Sequence, residues 1–516
     1  MSKRKNSYRN GVTVSRRDFL KTSVLAAAGA ATGGVMGLSW HGKAMAQAPS
    51  GTMNLVVSND LDTYDIHATI AGDAKAIAYH TFEALVNRDY QPQLATSWEN
   101  PDKLTWILHL KQGVEFSNGE PFDASVVKFN LERIKDPATK ARYRGTLAPV
   151  ESVEVLDKYK VKIQTKTPFS VLVFAMREMF MMSPKAVREL GKDVASKPIG
   201  TGPFIVREWV PNEKHILEAN PNYHGPKPKV KTLIWRPVAE PSTRIVELRA
   251  GTADIIDKIP PELAEGLSGE KLQVIRKRSV YRMGVKLNCS KPPFDKVKAR
   301  RALNYATDKE ALAKHVLRGA GYVTAGYLGP HLGGYDPSLK PYPHDPALAK
   351  KLLAEAGYPK GVDIELVSPV GRYLKDKEVM EAVAYQVKEA GFNMKVKALE
   401  WGMFMKDFNN SNGYFIGAGY NDPQSSFTED GDSRVKGFSW VFYHNDEYNG
   451  LLDKARETFD VQKRDAIYQS LSKMFWDDAT NLWLYDAQDI YGVNSRVKNF
   501  SPRSDALILL MDAYVG

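Results

Sequence analysis

Gly200-Thr-Gly-Pro-Phe204, followed by Asn220-Pro-Asn-Tyr-His-Gly225, is the stretch of the chain that says most about its fold. The two glycines of the first segment allow a tight turn before its proline fixes the backbone, and a strand begins at its phenylalanine. The second segment is typical of a turn. A short helix is predicted over residues 241–249, and Gly251 fits its C-terminal cap. This region is scaffold, and nothing in it predicts catalysis.

Four further blocks lie before and after this region: Phe116-Ser-Asn-Gly-Glu-Pro-Phe-Asp-Ala124, Arg300-Arg-Ala-Leu-Asn-Tyr-Ala306 with Asp308-Lys-Glu310, Asp345 to Tyr358, and Asp376-Lys-Glu-Val-Met-Glu-Ala382 running on to Leu399-Glu-Trp401. In this order the blocks resemble the large extracytoplasmic solute-binding proteins of peptide-type ABC importers, family 5. That group contains the dipeptide, oligopeptide, glutathione and nickel binders.

This resemblance implies an α/β fold with two lobes hinged around a cleft. The first lobe is then discontinuous and enlarged by an extra strand-rich subdomain, with lobe I at residues 47–280 plus 485–516 and lobe II at 281–484. The implied function is a non-catalytic, monomeric receptor that closes on a peptide-like or other small polar or anionic solute. The implied partners are the permease subunits of an ABC importer and their ATPases.

The amino terminus carries the features of an export signal. Ser15-Arg-Arg-Asp-Phe-Leu-Lys21 matches the twin-arginine export consensus, and Ala44-Met-Ala46 is a small-x-small cleavage site before Gln47. An uncleaved anchor is the alternative, but the run at 24–40 holds four glycines, a threonine and a serine, which makes it a poor membrane span. No cysteine stands near the cleavage site, which argues against a lipoprotein. We therefore expect residues 1–46 to be a cleaved signal peptide and the protein to be periplasmic.

The charge of the chain lies partly in that segment. Removing it takes away eight basic residues and one acidic residue, which lowers the net charge from +11 to +4. No long basic run remains, so nucleic-acid binding is disfavoured. Cys289 is the only cysteine, so no internal disulfide is expected. The remaining 470 residues suffice for more than one domain.

Strands alternate with capped helices along the chain, as in an α/β protein. The clearest unit is β-α-β: residues 363–368 and 394–398 alternate apolar and polar residues, and 376–390 has helical spacing. Parallel strands are implied, which places the loop at 370–373 at the carboxyl end of a strand, where open sheets bind ligands. Earlier, residues 104–110 predict a strand and Asp157-Lys158 predicts the turn of a hairpin. Thr307-x-x-Glu310 predicts a capping box.

Motifs of common exported enzymes are absent from the sequence. It contains no His-Glu-x-x-His, Gly-x-Ser-x-Gly, Walker loop or Cys-x-x-Cys, and no His-x-His pair. No catalytic residue and no cofactor are predicted, and a binding protein is favoured. An exported hydrolase or cofactor enzyme, and a metal or haem binder of the same fold, are the competing hypotheses. His67 and His80 stand alone, so the nickel hypothesis is minor.

Arg372 is the first candidate ligand contact, because a guanidinium at a strand's carboxyl end can hold a carboxylate with two hydrogen bonds. In peptide-binding relatives, an arginine in the comparable segment grips the ligand's carboxylate. Here the segment is Ser368-Pro-Val-Gly-Arg-Tyr373. The alternative is a surface arginine paired with Asp376 or Glu378.

A second candidate is Gly417-Ala-Gly-Tyr-Asn-Asp-Pro423, which resembles the ligand loop of the oligopeptide binders. Tyr420 and Asn421 belong to the implied site. Gly419 stands where those binders carry the aspartate that neutralises the ligand's α-amine, so that salt bridge is missing unless Asp422 replaces it. Asp422 is alternatively a turn former before proline. Because a buried, unpaired ammonium is costly, we expect ordinary peptides to bind poorly.

Aromatic and front-segment residues complete the predicted site. Solute sites are mostly apolar with a few polar anchors, and Trp440, in a polar turn-rich stretch, fits a wall role. Trp401 is a second wall candidate, or a core residue. The segment at 59–72 lines the first lobe's side of the cleft in relatives, and its possible contacts are Tyr64, His67, Ile70 and Gly72.

Overall fold

Two long antiparallel strands, Leu272–Leu287 and Asn481–Asn494, run through the middle of the largest sheet. They belong to a computed structural model that describes residues 50–69, 75–419, 422–434 and 442–516. All of these residues lie in one unit, Gln47–Gly516. No helix among them is long and apolar enough to cross a membrane.

The strands are β1 Ser50–Val57, β2 Ala95–Asp102, β3 Thr105–Leu110, β4 Val150–Asp157, β5 Lys160–Thr165, β6 Phe204–Val210, β7 Lys214–Ala219, β8 Val230–Pro237, β9 Ile255–Ile256, β10 Leu272–Leu287, β11 Gly321–Val323, β12 Val362–Pro369, β13 Phe392–Leu399, β14 Gly413–Ala418, β15 Asn481–Asn494, β16 Val497–Lys498 and β17 Tyr514–Val515.

The α-helices are α1 Ala76–Tyr79, α2 Ala124–Lys135, α3 Leu172–Met176, α4 Pro184–Leu190, α5 Pro241–Ala250, α6 Pro261–Ala264, α7 Val297–Ala306, α8 Lys309–Ala311, α9 Pro346–Glu355, α10 Asp376–Val387, α11 Trp401–Asp407, α12 Pro423–Gly431, α13 Asp446–Glu457 and α14 Val461–Asp477.

The main sheet has the order β13-β12-β14-β10-β15-β9-β1-β8-β7-β6, with β11 beside β15. Separate hydrophobic cores form at its two ends. Met53 packs with Tyr491 and Val493 in one core, and Met283 packs with Leu482 in another. β15 therefore contributes to both cores, and its pairing with β10 shifts register between Arg278 and Arg282. This is the two-lobed α/β architecture, with two paired strands passing between the lobes. The lobe boundaries at 280/281 and 484/485 lie within these strands and remain a prediction.

A four-stranded antiparallel sheet, β2-β3-β5-β4, forms the strand-rich subdomain of the first lobe. Trp106, Leu108 and Val161 alternate inward from it, and Leu131 of α2 packs in the same core. β4 and β5 form the hairpin predicted at Asp157-Lys158. Short-range alternation was therefore sufficient to predict β3 and the β4–β5 hairpin.

The predicted β-α-β unit is confirmed. β12 and β13 are parallel, with Ile364 opposite Met394, and α10 connects them. The face of α10 that contains Val379, Val383 and Val387 is buried against the sheet. The 370–373 loop accordingly leaves the carboxyl end of β12.

The chain bends at residues 201–203, as predicted for a turn there. A Cβ at Gly200 or Gly202 would lie 2.0 Å or 2.7 Å, respectively, from the carbonyl oxygen of Thr81, so these glycines also permit close approach of two backbones. The predicted capping box at 307–310 is wrong: the Thr307 hydroxyl donates back to Leu303 O, and Asp308 caps α8 by accepting from Ala311 N.

Candidate functional site

A buried carboxylate surrounded by cations lies just after α3. Glu178 accepts hydrogen bonds from Lys75 Nζ at 3.1 Å and from the Tyr143 hydroxyl at 2.9 Å, and it also pairs with Arg88. Burial favours the neutral phenol of Tyr143, but Lys75 and nearby arginines outweigh it and lower the pKa of Tyr143. Opposite charges from distant segments therefore meet in a water-poor position of the first lobe.

Arg177 is the neighbour of that carboxylate along the chain, and it reaches the second lobe. Its Nη2 donates to Asp422 Oδ2 at 3.1 Å, and its guanidinium carbon lies 4.9 Å from the centre of the Tyr90 ring. Burial lowers the pKa of Arg177. Among the described residues, its Nε has no hydrogen-bond partner. That atom lies 3.5 Å from Glu178 Oε1, so the interlobe contact contains a buried cation placed between two carboxylates.

Asp422 has two partners. It is the N-cap of α12, where its Oδ1 accepts from Ser425 N at 2.7 Å, and its Oδ2 accepts from Arg177. The side chain is 7% exposed. Both oxygens are engaged and the charge is neutralised, so this arrangement supports the turn-forming interpretation and gives a ligand's ammonium no carboxylate.

Arg372 lies in the loop that leaves β12. This loop is tied to Asp376, whose carboxylate accepts backbone N–H groups from Gly371, Arg372 and Tyr373 at 2.9–3.1 Å. Asp376 therefore binds the backbone rather than the Arg372 side chain, which corrects the surface-pair alternative for this residue. Burial raises the pKa of Asp376, although these hydrogen bonds act in the opposite direction and lower it.

The Arg372 guanidinium is stacked on an aromatic platform. Its carbon lies 4.6 Å from the centre of the Trp401 ring and 5.9 Å from that of Tyr373. Trp401 is in turn stacked on Phe404, with centroids 5.2 Å apart. Trp401 is half-buried, and the exposed Arg372 side chain lies against it. Stacking orients a guanidinium and leaves its N–H edge for a planar anion.

The Gly417–Gly419 segment runs beside β10 under Tyr281. A Cβ at Gly419 would lie 2.4 Å from Cε1 of Tyr281, and one at Gly417 would lie 2.8 Å from the sulfur of Met283. The Tyr281 ring therefore occupies the space that a side chain at 419 requires. Position 419 therefore has no carboxylate, and the Tyr281 ring fills the space that such a side chain would need.

Tyr64 and His67 lie in the interior of the first lobe. The Tyr64 hydroxyl bonds His215 Nδ1 at 2.7 Å, and Tyr64 is fully buried. His67 bonds Phe180 O through Nε2 and Arg133 through Nδ1, both at 2.8 Å. Burial and the adjacent guanidinium lower the pKa of His67 to about 4. Neither residue has a polar atom left for a solute in this conformation, so we leave both out of the site proposed below.

Five other predicted contacts, Ile70, Gly72, Tyr420, Asn421 and Trp440, lie outside the described residues. Sequence reasoning missed Lys75, Tyr143, Arg177 and Glu178. One signal for the last two was available. Arg177 and Glu178 interrupt the otherwise apolar stretch Phe174-Ala-Met-Arg-Glu-Met-Phe-Met-Met182, and charges there require buried partners.

An Asp60–His215–Tyr64 chain has the geometry of a proton relay, with 2.6 Å between Asp60 Oδ1 and His215 Nε2. His215 and Tyr64 are fully buried, so this relay has no access for a substrate. Within the described part of the chain, no group of three or more His, Cys, Asp or Glu residues is arranged to hold a metal ion.

The chain is similar to known proteins in both sequence and structure. Residues 89–438 match the family described as bacterial extracellular solute-binding proteins, family 5 Middle. The glutathione-binding protein GsiB of Escherichia coli (strain K12) is 29% identical over 440 residues, which cover 81% of this chain and 85% of GsiB.

Two solved structures illustrate the shared fold. DppA from Helicobacter pylori, in complex with peptide STSA, has a TM-score of 0.80 at 24% identity, covering 90% of this chain and 98% of DppA. NikZ from Campylobacter jejuni, in complex with Ni(L-His), has a TM-score of 0.79 at 24% identity, covering 89% and 97%. These two likenesses support the two-lobed fold and carry no statement about ligand.

Proposed function

Because the family match spans more than half of the chain, the chain belongs to the family 5 bacterial extracellular solute-binding proteins, and we propose that it binds a small carboxylate-bearing solute between its lobes. As a member of that family, it is the binding component of an ABC importer and acts outside the cytoplasm. GsiB, a glutathione-binding relative, supports a peptide-like or other small polar solute as the class. We propose neither a catalytic step nor a cofactor.

The observation that carries this proposal is the placement of Arg372. Its side chain is exposed at the carboxyl edge of the sheet, and Trp401 holds its plane. Its guanidinium lies over the Trp401 ring and also interacts with the side chain of Tyr373. A permanently charged, oriented fork of donors is suited to a carboxylate bound through two hydrogen bonds.

The second element of the proposal is closure through Arg177 and Asp422. This ion pair joins the end of α3 in the first lobe to the N-cap of α12 in the second. A backbone hydrogen bond from Ser170 N to Arg456 O at 2.8 Å joins the segment before α3 to α13. We propose that these contacts form as the lobes close, so that ligand binding shifts the hinge equilibrium toward the closed form.

The third element concerns the ligand's amine. Gly419 carries no carboxylate, Tyr281 fills the adjacent space, and Asp422 is neutralised by Arg177. An α-ammonium stripped of water there gains no counter-charge. We therefore propose that the ligand has a blocked, displaced or absent α-amine.

The cellular setting is proposed from the sequence. Residues 1–46 act as a twin-arginine signal peptide, and the mature periplasmic monomer delivers its solute to two permease subunits with two ATPases. Lobe I comprises residues 47–280 plus 485–516 and lobe II residues 281–484.

A thermal-shift screen tests this function. The mature protein is screened against small carboxylates in matched pairs, each acid with and without a free α-amine. We expect stabilisation by acids that lack the amine and little by their amino partners. A screen in which only uncharged or cationic solutes stabilise the protein contradicts the proposal. Absorption spectra and metal analysis of the same sample test the cofactor and metal alternatives.

A further inference from the structure

The structure contains a cavity whose lining shares no residue with the Arg372 and Arg177 groups. The cavity has a volume of about 180 Å³ and lies between the loop at residues 324–341, the long helix α14 and the strand β10. At roughly 30 Å³ for each water molecule, this space corresponds to about six waters. It is large enough for a small metabolite.

The loop is fixed at its edges. Arg282 Nη1 donates to Gly326 O at 2.6 Å, Gln469 Nε2 donates to Tyr335 O at 3.3 Å, and Trp476 Nε1 donates to Lys340 O at 2.9 Å. These bonds tie the loop to β10 at one end and to α14 at the other. The cavity between them is thus part of an anchored structure rather than a gap beneath a loose segment.

The helix side of the cavity presents a hydroxyl without a partner. Ser472 of α14 lines the cavity and is 2% exposed, and its Oγ forms no hydrogen bond with any described residue. An unsatisfied buried hydroxyl costs about 1–3 kcal/mol, so such a group normally bonds an ordered water, an ion or another small polar molecule. This atom indicates that the occupant is polar.

A second part of the cavity lining carries positive charge. Arg278 lines the cavity and donates Nε and Nη2 to Asp486 Oδ2 at 3.0 and 2.5 Å, while Arg282 uses the other oxygen of the same carboxylate at 2.7 Å. Two guanidinium groups therefore share one acid. The Arg278 side chain is 41% exposed, so it lies where the cavity meets solvent.

The loop adds one charge of each sign to the lining. Lys340 Nζ donates to the carbonyl of Pro337 at 3.0 Å, and the Asp336 carboxylate accepts the N–H of Ser338 at 2.9 Å. With the two arginines and their shared acid, the surroundings keep an excess of positive charge. A positively charged lining that also contains a hydroxyl donor has the chemistry of an anion site.

We propose that this cavity is a second ligand site, which binds a small oxyanion, either a carboxylate or a phosphate. The anion accepts from Arg278 and Lys340 on one side and from the Ser472 hydroxyl on the other. The site shares no residue with the Arg372 and Arg177 groups and is independent of the solute proposed for the interlobe cleft.

Titration calorimetry of the mature protein tests the proposal, with sodium acetate and inorganic phosphate as separate probes and sodium chloride at equal ionic strength as the blank. We expect saturable binding of at least one probe, and the better probe identifies the anion class. Ser472→Ala and Lys340→Gln should each weaken binding by about fivefold to tenfold, the loss expected for one hydrogen bond. Ser470→Ala is the matched control, since its exposed hydroxyl bonds Ala466 O on the same helix.

Three results would overturn the proposal: binding of neither probe, equal affinity in the Ser472→Ala and Lys340→Gln variants, or loss of binding in Arg372→Ala, which would assign the anion to the cleft. Ser472→Ala removes a single atom, and its melting temperature and circular dichroism establish that it folds. Crystals soaked in the better probe that show water alone in the cavity also contradict the site.

Discussion

The Arg372 guanidinium lies over the Trp401 ring although 29 positions of sequence number separate the two residues, with the guanidinium carbon 4.6 Å from the ring centre. The reason is the parallel pairing of β12 and β13, in which Pro369 is opposite Leu399. Each strand delivers the next residues to the same carboxyl edge, so the loop after β12 meets the start of α11 there. The contact is thus a consequence of the β-α-β unit.

Replacing Arg372 by alanine should weaken binding of the cognate anionic ligand by about 2–5 kcal/mol, because a charge partner is lost inside the closed cleft. The melting temperature without ligand should stay nearly unchanged, since the side chain is exposed. Calorimetry on the wild type and on the Arg372→Ala variant measures the ligand affinity and the melting temperature. Arg207→Ala, which removes an exposed arginine of β6, is the control and should bind normally. Equal affinity in the Arg372 variant would return this residue to a surface role.

Breaking the interlobe ion pair should destabilise the closed form. Arg177→Ala leaves Asp422 buried without its cation, at a cost of about 3–5 kcal/mol. Asp422→Asn removes the charge while keeping a helix-capping side chain, and it should cost less than the arginine change. Chemical denaturation with saturating ligand and a double-mutant cycle measure the coupling.

The matched control for that cycle is the exposed pair of Lys473 and Asp477, 2.7 Å apart on α14. Lys473→Ala should change the free energy of unfolding by about 0.5 kcal/mol or less. A coupling energy between Arg177 and Asp422 no larger than this would show that the interlobe pair does not stabilise closure.

Ordinary dipeptides should not stabilise the wild-type protein, and Gly419→Asp alone should not create binding. The new Cβ would meet the Tyr281 ring at 2.4 Å, so this variant should also melt at a lower temperature. Combining it with Tyr281→Ala provides the space, and the double variant should gain dipeptide affinity. Thermal shift against a dipeptide library is the measurement. Stabilisation of the wild type by several degrees would restore an ordinary peptide receptor.

The free energy of unfolding should fall as the pH falls from about 6.5 toward 4. His80 is fully buried, its Nδ1 donates to Ala76 O and its Nε2 accepts from Leu510 N, so a second ring proton would face an N–H group. Burial lowers the pKa of His80 to about 4, from 6.5 in the unfolded chain. The unfolded state therefore binds more protons within this window, and acid favours unfolding.

Urea denaturation at pH 7.0, 5.5 and 4.5 checks that dependence. His80→Asn should be less stable at neutral pH but show a shallower loss on acidification, because one titrating group is gone. Identical slopes for wild type and the His80 variant would contradict the assignment.

Export should depend on the twin arginines. Arg16→Lys together with Arg17→Lys should trap the precursor in the cytoplasm, and the exported protein should begin at Gln47. Fractionation and amino-terminal sequencing measure both. Unimpaired export of the double variant, or an intact amino terminus on periplasmic protein, would refute the signal-peptide prediction.

Local pattern determined much of the scaffold. Alternation of apolar residues predicted β3, β12 and β13, helical spacing predicted α10, and the glycine after α5 occupies the left-handed cap expected for it, with φ of 76°. These features depend on neighbours within a few positions, so one sequence suffices to predict them. The ordered motif blocks likewise identified the family.

Only the tertiary structure decided which of the described residues meet. Tyr281 faces Gly419 because β10 and β14 pair antiparallel, with Arg282 opposite Ala418, and no local pattern contains that register. Arg177 meets Asp422 through contact between the lobes. Tyr64 and His67 are interior for the same reason, since burial depends on the packing of distant segments. Sequence periodicity specifies faces of single elements, whereas a binding site is a set of long-range contacts that exists only after the elements are packed.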